Sequence, residues 1–263
     1  MIDLTGKTAL VTGAGRGLGR RVACGLARCG AKIALVARNL DPLRETAREI
    51  QLVGGAALVL PADVSQIAAI DRVKAQVEAE LGPPQILINA AGVFGPIQPV
   101  KDSDPKRWIE TLAINTVGPY LTCRAFAGGM IERGWGRIIN FSSAAALHPP
   151  GPLNSAYGTS KVALNHFTRH LAAELAGTGV TANVIHPGEV KTEMWSTIRQ
   201  ESQTTGLAGE GYRAWAEQVA KTGGDDPQLA LDLILDLIDD KSAAINGQFL
   251  WIAGGQQTPI PSW

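Results

Sequence analysis

The sequence has few cysteines, few aromatic residues, no excess of charge and no long apolar run. Its 263 residues include 3 cysteines, and aromatic residues make up 5% of the chain. Lys and Arg together number 24, as do Asp and Glu, so the formal net charge is zero. Because binding to polyanions depends on excess positive charge, we expect neither nucleic acid nor a membrane surface as the partner.

The few metal-ligating and thiol side chains do not form a recognisable motif. Cys24, Cys29 and Cys123 cannot all pair with one another and form no C-x-x-C spacing, so we expect buried, reduced thiols in a cytoplasmic protein. His166 and His170 lie four residues apart without a third candidate ligand, so we expect no metal site. The N-terminus lacks the apolar segment of a signal peptide, and no uncharged apolar run approaches the ~18 residues of a membrane span. We therefore expect a soluble, unprocessed chain.

Short apolar runs alternate with longer segments of helical periodicity, separated by many of the 30 glycines and 15 prolines. The runs predict strands at 8–11, 31–37, 56–60, 86–89, 137–141, 180–185 and 248–252. The longer segments predict helices at 18–29, 41–52, 66–81, 105–133, 156–176 and 227–238. Gly118 and Pro119 interrupt the segment 105–133, so we expect a bend or two helices there.

Strands that are apolar on both faces and alternate with helices are typical of a parallel sheet covered on both sides. We predict one α/β domain over 1–263, with a doubly wound, parallel, seven-stranded sheet of the Rossmann type. The least regular region, 189–226, contains several aromatic residues. We predict that this insertion is a lid over the substrate.

A glycine-rich loop follows the first strand and opens the next helix. Residues 12–19 read Thr-Gly-Ala-Gly-Arg-Gly-Leu-Gly, with the spacing T-G-x-x-x-G-x-G. Glycines let the backbone turn sharply and approach a pyrophosphate, which the free N–H groups of a helix N-terminus stabilise. The loop does not lead into G-K-[ST], and no complete G-x-x-x-x-G-K-[ST] motif is present, which excludes a P-loop nucleotidase. The predicted dinucleotide contacts in this loop are Gly13, Gly15, Arg16, Gly17, Leu18 and Gly19.

The residue after the second strand distinguishes the two nicotinamide cofactors. An acid there binds the ribose hydroxyls of NAD, but this sequence has Arg38. Arg16, within the loop, is a second guanidinium that we expect to reach the same phosphate. Guanidinium groups match phosphate oxygens, so the pair favours the ribose 2′-phosphate of NADP(H). NAD(H) remains the alternative.

Tyr157 and Lys161 lie four residues apart at the start of a predicted helix, so both project from one face. A nearby ammonium lowers the pKa of a phenol from ~10 towards neutrality, which suits it to proton transfer with an alcohol oxygen. The strand at 137–141 runs into Ser142 and Ser143. Their hydroxyls therefore lie at the carboxyl edge of the sheet, where open α/β folds bind ligands.

In this context the sequence resembles the short-chain dehydrogenase/reductase family along essentially its whole length. The motifs that carry the resemblance are, in order, Thr12-Gly13 to Gly19, Asp63-Val64, Asn89-Ala90-Ala91-Gly92, Asn115, Ser143, Tyr157-x-x-x-Lys161, His186-Pro187-Gly188 with Thr192, and Asn246-Gly247-Gln248. Each motif alone is weak, but the set in this order is specific.

The resemblance implies a role for each of four catalytic residues. Ser143 donates a hydrogen bond to the substrate oxygen, and Tyr157 is the general acid in reduction and the base in oxidation. Lys161 lowers the pKa of Tyr157 and binds the nicotinamide ribose, while Asn115 holds a water that links Lys161 to solvent. Ser143 precedes Tyr157 by one residue more than the commonest family spacing, so Ser142 remains an alternative.

The resemblance also implies further cofactor contacts. They are Asp63 and Val64 at the adenine, Asn89, Ala90, Ala91 and Gly92 at the adenosine ribose, and Pro187, Gly188, Val190 and Thr192 at the nicotinamide. Similar family members form tetramers or dimers through the helices that carry Asn115 and Tyr157, so we expect a homo-oligomer.

Taken together, these features predict an NADP(H)-dependent oxidoreductase that reduces a ketone to a secondary alcohol, or catalyses the reverse, by hydride transfer. The predicted pocket wall is mostly apolar, which favours a hydrophobic or aromatic ketone; it comprises Phe94, Leu147, His148, Asn154, Met194 and Trp195. Three alternatives remain: a 3-oxoacyl-thioester reductase acting on acyl-carrier-protein substrates, an NAD(H)-dependent alcohol dehydrogenase, and a non-catalytic nucleotide-binding regulator.

Overall fold

The structure, a computed structural model, describes residues 2–147 and 150–257. Eight strands form one sheet in the order β3-β2-β1-β4-β5-β6-β7-β8. The strands are β1 (Thr8–Thr12), β2 (Lys32–Ala37), β3 (Ala57–Pro61), β4 (Ile86–Asn89), β5 (Gly136–Phe141), β6 (Val180–His186), β7 (Phe249–Trp251) and β8 (Gly255–Gln257). The α-helices are α1 (Gly17–Arg28), α2 (Leu40–Leu52), α3 (Ile67–Glu80), α4 (Pro105–Leu112), α5 (Gly118–Glu132), α6 (Ser155–Glu174), α7 (Glu193–Ser202), α8 (Glu210–Thr222) and α9 (Pro227–Ile238).

Helices cover both faces of the sheet, which confirms the predicted doubly wound α/β fold. Alternate residues of a strand point to opposite faces, so Val11 packs against α1, α2 and α9, whereas its neighbour Leu10 packs against α3, α5 and α6. Both side chains are fully buried. The strand order reverses between β1 and β4, and a crevice opens at such a point at the carboxyl ends of the strands.

Two Asp-Pro pairs explain why α4 and α9 begin at the residues predicted from the sequence. The carboxylate of Asp104 accepts a hydrogen bond from the backbone N–H of Lys106, and Asp226 makes the equivalent contact with Gln228. The proline that follows each aspartate is the first helical residue, where its missing N–H costs nothing.

The predicted interruption of the segment 105–133 is confirmed. Helix α4 ends at Leu112, a π-helical turn spans Ala113–Val117, and α5 begins at Gly118. Single π turns inside helices are frequent at functional sites. This one contains Asn115, whose side chain is completely buried.

The predicted number of strands is too low by one, and the sheet is not wholly parallel. Strand β8 runs antiparallel to β7 and forms the edge of the sheet. Gly255 has φ +59°, a left-handed conformation that favours glycine and permits the reversal. A three-residue polar edge strand has no apolar run, so hydrophobic patterning does not reveal it.

The region 189–226 contains the helices α7 and α8, which pack against each other. Met194, Ile198, Tyr212 and Trp215 of this region form a separate small apolar cluster with Phe94, Ile97 and Leu153. We call these seven residues the lid cluster. The role of the region as a substrate lid stays a prediction.

Several large apolar side chains are exposed on α4, α5, α6 and the π-helical turn between α4 and α5. They include Ile109, Val117, Tyr120 and Val162, each at least 42% exposed. The predicted subunit contact through these helices stays a prediction. Within 2–147 and 150–257, no helix is both long and apolar enough to cross a membrane.

Candidate active site

The glycine-rich loop passes so close to neighbouring backbone that side chains do not fit at two of its positions. A Cβ atom on Gly13, whose φ is +67°, would lie 2.9 Å from the backbone of Ala90 and of Ala91. A Cβ atom on Gly19 would lie 2.3 Å from the carbonyl oxygen of Gly13. The Thr12 hydroxyl accepts a hydrogen bond of 3.1 Å from the backbone N–H of Ala91, which fixes the loop to the end of β4. This narrow backbone cradle at the N-terminus of α1 fits a dinucleotide pyrophosphate.

The rest of the loop makes contacts on either side of the cradle. Gly15 faces Pro42 of α2, and Leu18 packs into the apolar core beneath α1. Gly17 lies beside Thr192, because a Cβ atom on Gly17 would be 3.5 Å from the methyl group of Thr192. Arg16 is exposed and caps the N-terminus of α1 with extended backbone.

A cavity of about 540 Å³ lies at the end of β3, where the resemblance places the adenine. Arg38 and Asp63 line it, and Arg72 of α3 is the second arginine on its wall. The Asp63 carboxylate accepts hydrogen bonds from the backbone N–H and the hydroxyl of Ser65. Val64 is buried against Gly118 at the start of α5.

Asn89 is buried beneath the crevice in a chain of side-chain hydrogen bonds. Its amide oxygen accepts from the Thr122 hydroxyl, and its amide nitrogen donates to Asn140 Oδ1 of β5, each over 2.8 Å. Asn140 in turn donates to the Thr168 hydroxyl of α6 over 2.8 Å. This chain joins β4 and β5 to α5 and α6. The ends of the central strands are therefore held in register with the helices that carry the catalytic candidates.

Asn115 connects the loop after β4 to α6. Its amide group makes two hydrogen bonds with the backbone of Val93, accepting from the N–H over 2.9 Å and donating to the carbonyl over 2.8 Å. It also donates to the hydroxyl of Ser160, the residue that precedes Lys161. A Cβ atom on Gly92 would lie 3.3 Å from Asn115 Oδ1 and 3.9 Å from Lys161 Nζ. Gly92 therefore leaves space beside the lysine.

The segment after β6 reaches back to the glycine-rich loop. Pro187 and Gly188 end the strand, and Val190 pairs with Gly224 in an isolated bridge. Thr192 begins α7, where its hydroxyl accepts from the backbone N–H of Trp195 over 3.5 Å. Because Thr192 lies beside the pyrophosphate cradle, this segment is placed to contact the nicotinamide half of a dinucleotide.

Ser143, Tyr157 and Lys161 meet at the carboxyl end of β5. The Ser143 hydroxyl lies near that of Tyr157, close enough to lower the pKa of the phenol. Lys161 Nζ donates to the carbonyl oxygen of Phe141 over 2.7 Å and lies 5.6 Å from the centre of the Tyr157 ring. Tyr157 is 8% exposed and Lys161 is 4% exposed. One face of α6 thus presents a phenol and an ammonium beside a serine hydroxyl.

Burial shifts the pKa values of Tyr157 and Lys161 in the directions that favour their neutral forms. Desolvation lowers the pKa of Lys161 to about 8. Burial raises the pKa of Tyr157 above its ordinary value, and the Ser143 hydroxyl acts in the opposite direction. Lys161 therefore changes its protonation state closer to neutral pH than an ordinary lysine does, whereas the phenol of Tyr157 holds its proton more firmly.

The two adjacent serines have different partners. The Ser142 hydroxyl donates to Asn165 Oδ1 over 2.5 Å and is buried. The Ser143 side chain instead lies with Tyr157 and caps the short turn Ala144–Ala146 through the backbone N–H of Ala145. This geometry favours Ser143 over Ser142 as the hydroxyl that faces a substrate.

The lid cluster covers the Tyr157 ring. Phe94 stacks on Tyr157 with 4.6 Å between ring centres and 29° between ring planes. Tyr212 of α8 meets Phe94 edge-on, with 5.8 Å between ring centres. Met194 belongs to the same cluster and approaches Gly92. Two of the predicted pocket residues, Phe94 and Met194, are therefore next to the catalytic candidates.

The other predicted pocket residues lie in varied surroundings. Leu147 ends the turn that follows Ser143, and Asn154 precedes α6; both are half-buried. Trp195 is buried between α7 and α8, where its indole N–H donates to the carbonyl oxygen of Ala216. His148 lies outside the described residues.

Several residues of the site were not predicted from the sequence. Leu153 is buried in the lid cluster with φ +73°, a strained conformation for leucine. Arg72 lines the cavity at the end of β3, and Glu110 of α4 forms an ion pair with Arg38. The hydrogen-bond chain through Asn89 and Asn140 could have been found from one feature of the sequence, a polar residue such as Asn140 inside an otherwise apolar strand.

Comparisons with known proteins agree with this geometry. The family model described as short chain dehydrogenase matches residues 7–203. A short chain dehydrogenase of Pseudocercospora fijiensis is 42% identical over 252 residues, which cover 94% of this chain and 80% of that protein.

Solved structures match along almost the whole chain. The NAD+-bound structure of a xylitol dehydrogenase has a TM-score of 0.86 at 29% identity and covers 96% of this chain and 99% of its own. An actinorhodin polyketide ketoreductase with NADPH also has a TM-score of 0.86 at 29% identity, covering 97% and 98%. The chain therefore belongs to the short-chain dehydrogenase/reductase family and is an oxidoreductase of alcohol and carbonyl groups that uses a nicotinamide cofactor.

Proposed function

We propose that this protein is an NADP(H)-dependent reductase of hydrophobic ketones, which also oxidises the matching secondary alcohols. The observation that carries the proposal is the meeting of the Ser143 hydroxyl, the Tyr157 phenol and the Lys161 ammonium beneath an apolar cover. A non-catalytic regulator has no need of a buried lysine beside a buried phenol, since burying each of these groups costs stability.

Each of the three side chains has a distinct task in the proposed reaction. Ser143 donates a hydrogen bond to the carbonyl oxygen of the substrate and so stabilises the negative charge that develops there. Tyr157 delivers its phenolic proton to that oxygen. Lys161 stabilises the phenolate that remains and lowers the pKa of Tyr157 in the loaded enzyme. NADPH supplies the hydride when bound.

The chain's own contacts hold these groups in position. The backbone carbonyl of Phe141 binds Lys161 Nζ, and Asn115 holds α6 through Ser160. The glycine-rich cradle and Thr192 would hold the pyrophosphate and nicotinamide portions of the cofactor. Prealignment of this kind supplies much of the rate enhancement in hydride transfer, because reacting atoms are held at contact distance.

The lid cluster supports a hydrophobic substrate. Phe94 stacks on the Tyr157 ring and belongs to one apolar cluster with Leu153, Met194 and Trp215. In the proposed complex, a substrate ring takes the place of Phe94 against this apolar wall. An apolar or aromatic ring replaces the Phe94 contacts at little cost, whereas a polyol in that space would leave hydroxyl groups without partners.

Arg38 and Arg72 on the cavity wall support NADP(H), and a similar ketoreductase structure contains NADPH. A second candidate has a specific observation in its favour. Arg38 is paired with Glu110, which reduces the charge available to a 2′-phosphate, and a similar xylitol dehydrogenase structure contains NAD+. An NAD(H)-dependent alcohol dehydrogenase is therefore the alternative.

A panel of ketones, polyols and 3-oxoacyl thioesters tests the substrate proposal, with turnover followed at the absorbance band of reduced nicotinamide. We expect the highest kcat/KM for cyclic or aromatic ketones, because their rings replace the stacking of Phe94 on Tyr157. A higher kcat/KM for the thioesters would instead identify an acyl-thioester reductase. Turnover restricted to polyols would refute the hydrophobic pocket.

Combined replacement Ala37→Asp and Arg38→Leu is expected to move the ratio of kcat/KM with NADPH to kcat/KM with NADH by about 10- to 100-fold towards NADH. The substitutions remove a guanidinium and supply a carboxylate for the ribose hydroxyls. Arg44→Leu is the matched control, since Arg44 is an exposed arginine of α2 paired with Asp41. An unchanged ratio in the double variant would contradict the 2′-phosphate site.

A further inference from the structure

We infer that Glu110 is a specificity-determining residue of the cofactor site, where its carboxylate competes with a ribose 2′-phosphate for Arg38. Arg38 Nη1 lies 3.2 Å from Glu110 Oε1. The inference rests on the proposed function in one respect, since it takes the cavity beside Arg38 as the adenosine end of the dinucleotide site.

The pair spans the crevice in which a dinucleotide binds. Arg38 follows β2, and Glu110 lies in α4, the helix that follows β4. Strands β2 and β4 flank β1, so the two side chains meet across the carboxyl end of β1. The glycine-rich cradle begins at the same end. The ion pair is therefore within reach of the adenosine half of a bound cofactor. It joins the two walls of the crevice, one formed by the segment after β2 and the other by the segment after β4.

Because the Arg38–Glu110 pair is exposed to solvent, replacing the carboxylate by a phosphate at Arg38 costs little free energy. The side chains of Arg38 and Glu110 are 52% and 53% exposed. Ion pairs in water-accessible positions contribute little free energy. A phosphate monoester carries almost two negative charges near neutral pH and accepts two parallel hydrogen bonds from one guanidinium, so it displaces a carboxylate.

Glu110 also opposes the phosphate after the exchange. A carboxylate next to Arg38 repels the dianion that takes its place, and the repulsion remains as long as Glu110 stays nearby. A cofactor without the 2′-phosphate leaves the Arg38–Glu110 pair intact and is not repelled. Glu110 therefore lowers the affinity for NADP(H) but not the affinity for NAD(H). It thereby reduces the preference for NADP(H) over NAD(H) that Arg38 and Arg72 create.

Asp63, the acid among the residues that line the cavity, does not have the same role. Its Oδ1 accepts two hydrogen bonds from Ser65 at the turn after β3. Arg72 lines the cavity from α3 and adds a second positive charge beside Arg38. Removal of Glu110 would leave two arginines at the adenosine end, with Asp63 as the one acid among the residues that line the described cavity.

The test is calorimetric titration of the whole chain with four probes, two with the 2′-phosphate and two without it. The probes are NADPH, NADH, adenosine 2′,5′-bisphosphate and AMP. In Glu110→Gln we expect NADPH and the bisphosphate to bind about three- to tenfold more tightly, with the affinity for NADH and AMP unchanged within about twofold. Glu132→Gln, at the far end of α5, makes the same change in net charge and serves as the control.

A double-mutant cycle separates competition for Arg38 from a general effect of charge. In an Arg38→Leu background, Glu110→Gln is expected to change the NADPH affinity by less than about twofold. The inference is overturned if Glu110→Gln leaves the ratio of NADPH to NADH affinity unchanged, if it weakens NADPH binding, or if its effect persists without Arg38.

The outcome is distinguishable from failure of the proposed function. A wild-type chain that prefers NADH, but whose Glu110→Gln variant gains affinity for NADPH alone, refutes the proposed cofactor preference and supports the role of Glu110. If the wild-type chain prefers NADPH and Glu110→Gln has no effect, the proposed cofactor preference is supported and the role of Glu110 is refuted. A wild-type chain that binds none of the four probes overturns both.

Discussion

Replacement Tyr157→Phe is expected to lower kcat by about 10²- to 10⁴-fold, the range that general acid catalysis contributes. Phenylalanine keeps the ring that stacks on Phe94 and removes only the phenolic hydroxyl beside Ser143. The packing of the lid cluster should therefore survive, and the affinity for NADPH should stay within about twofold of wild type. Steady-state turnover and calorimetric titration of the same preparation measure the two effects.

The matched control is Tyr120→Phe. Tyr120 is 46% exposed on α5, where it meets Phe167 edge-on, and it lies outside the site. Loss of its hydroxyl should leave kcat unchanged. If Tyr157→Phe retained most of its turnover, another group would have to supply the proton, and Ser143 would be the first to examine because its hydroxyl lies near the phenol.

The parts of this site that lie close together in the sequence were predictable. Tyr157 and Lys161 are one helical turn apart, so their shared face follows from helix geometry alone. The glycine-rich loop spans eight residues, 12–19, from the end of β1 to the first turn of α1, and the structure places a tight backbone cradle there. Asp-Pro pairs likewise marked the start of α4 and α9, because the cap and the first helical residue are neighbours in the chain.

Contacts between distant segments were not predictable from local pattern. The ion pair of Arg38 with Glu110 joins residues 72 positions apart, and the hydrogen bond of Asn89 with Asn140 joins residues 51 apart. Neither pairing has a spacing that hydrophobic periodicity would show. The position of Phe94 over Tyr157 depends on how the loop after β4 meets the lid helices, which is a property of the tertiary packing.

Strand β8 was missed for a different reason. Its three residues, Gly-Gln-Gln, are exposed or half-buried and carry no apolar side chain. Patterning identifies strands through the apolar residues that they bury, so a polar edge strand is indistinguishable from a loop. The antiparallel turn depends on the backbone of Gly255, and many of the 30 glycines in this chain have other roles.

The second large effect is expected from Lys161→Met, which should abolish most turnover while changing the pH dependence of stability. Burial lowers the pKa of Lys161 from 10.5 to about 8. Between these values the unfolded chain binds more protons than the folded one, so this lysine makes the free energy of unfolding rise with pH. Below pH 8 its charge is buried in both the resting and the working enzyme, and the full penalty of about 3 kcal/mol applies.

Methionine fills a similar volume and carries no charge. The variant loses the hydrogen bond to the Phe141 carbonyl, a cost of about 1 to 3 kcal/mol that does not depend on pH. The stability of Lys161→Met minus that of wild type should therefore fall by about 3 kcal/mol between pH 7 and pH 10.5, whatever its absolute value. Urea unfolding at a series of pH values measures this difference.

Lys32→Met is the control for the loss of a lysine charge, because Lys32 is exposed at the start of β2. Parallel stability curves for Lys161→Met and wild type would mean that Lys161 keeps an ordinary pKa despite its burial. The expected result has a functional meaning. Under the proposed function, a lysine whose buried charge destabilises the fold at neutral pH stands beside Tyr157 because proton transfer to a carbonyl oxygen requires a stabilised phenolate.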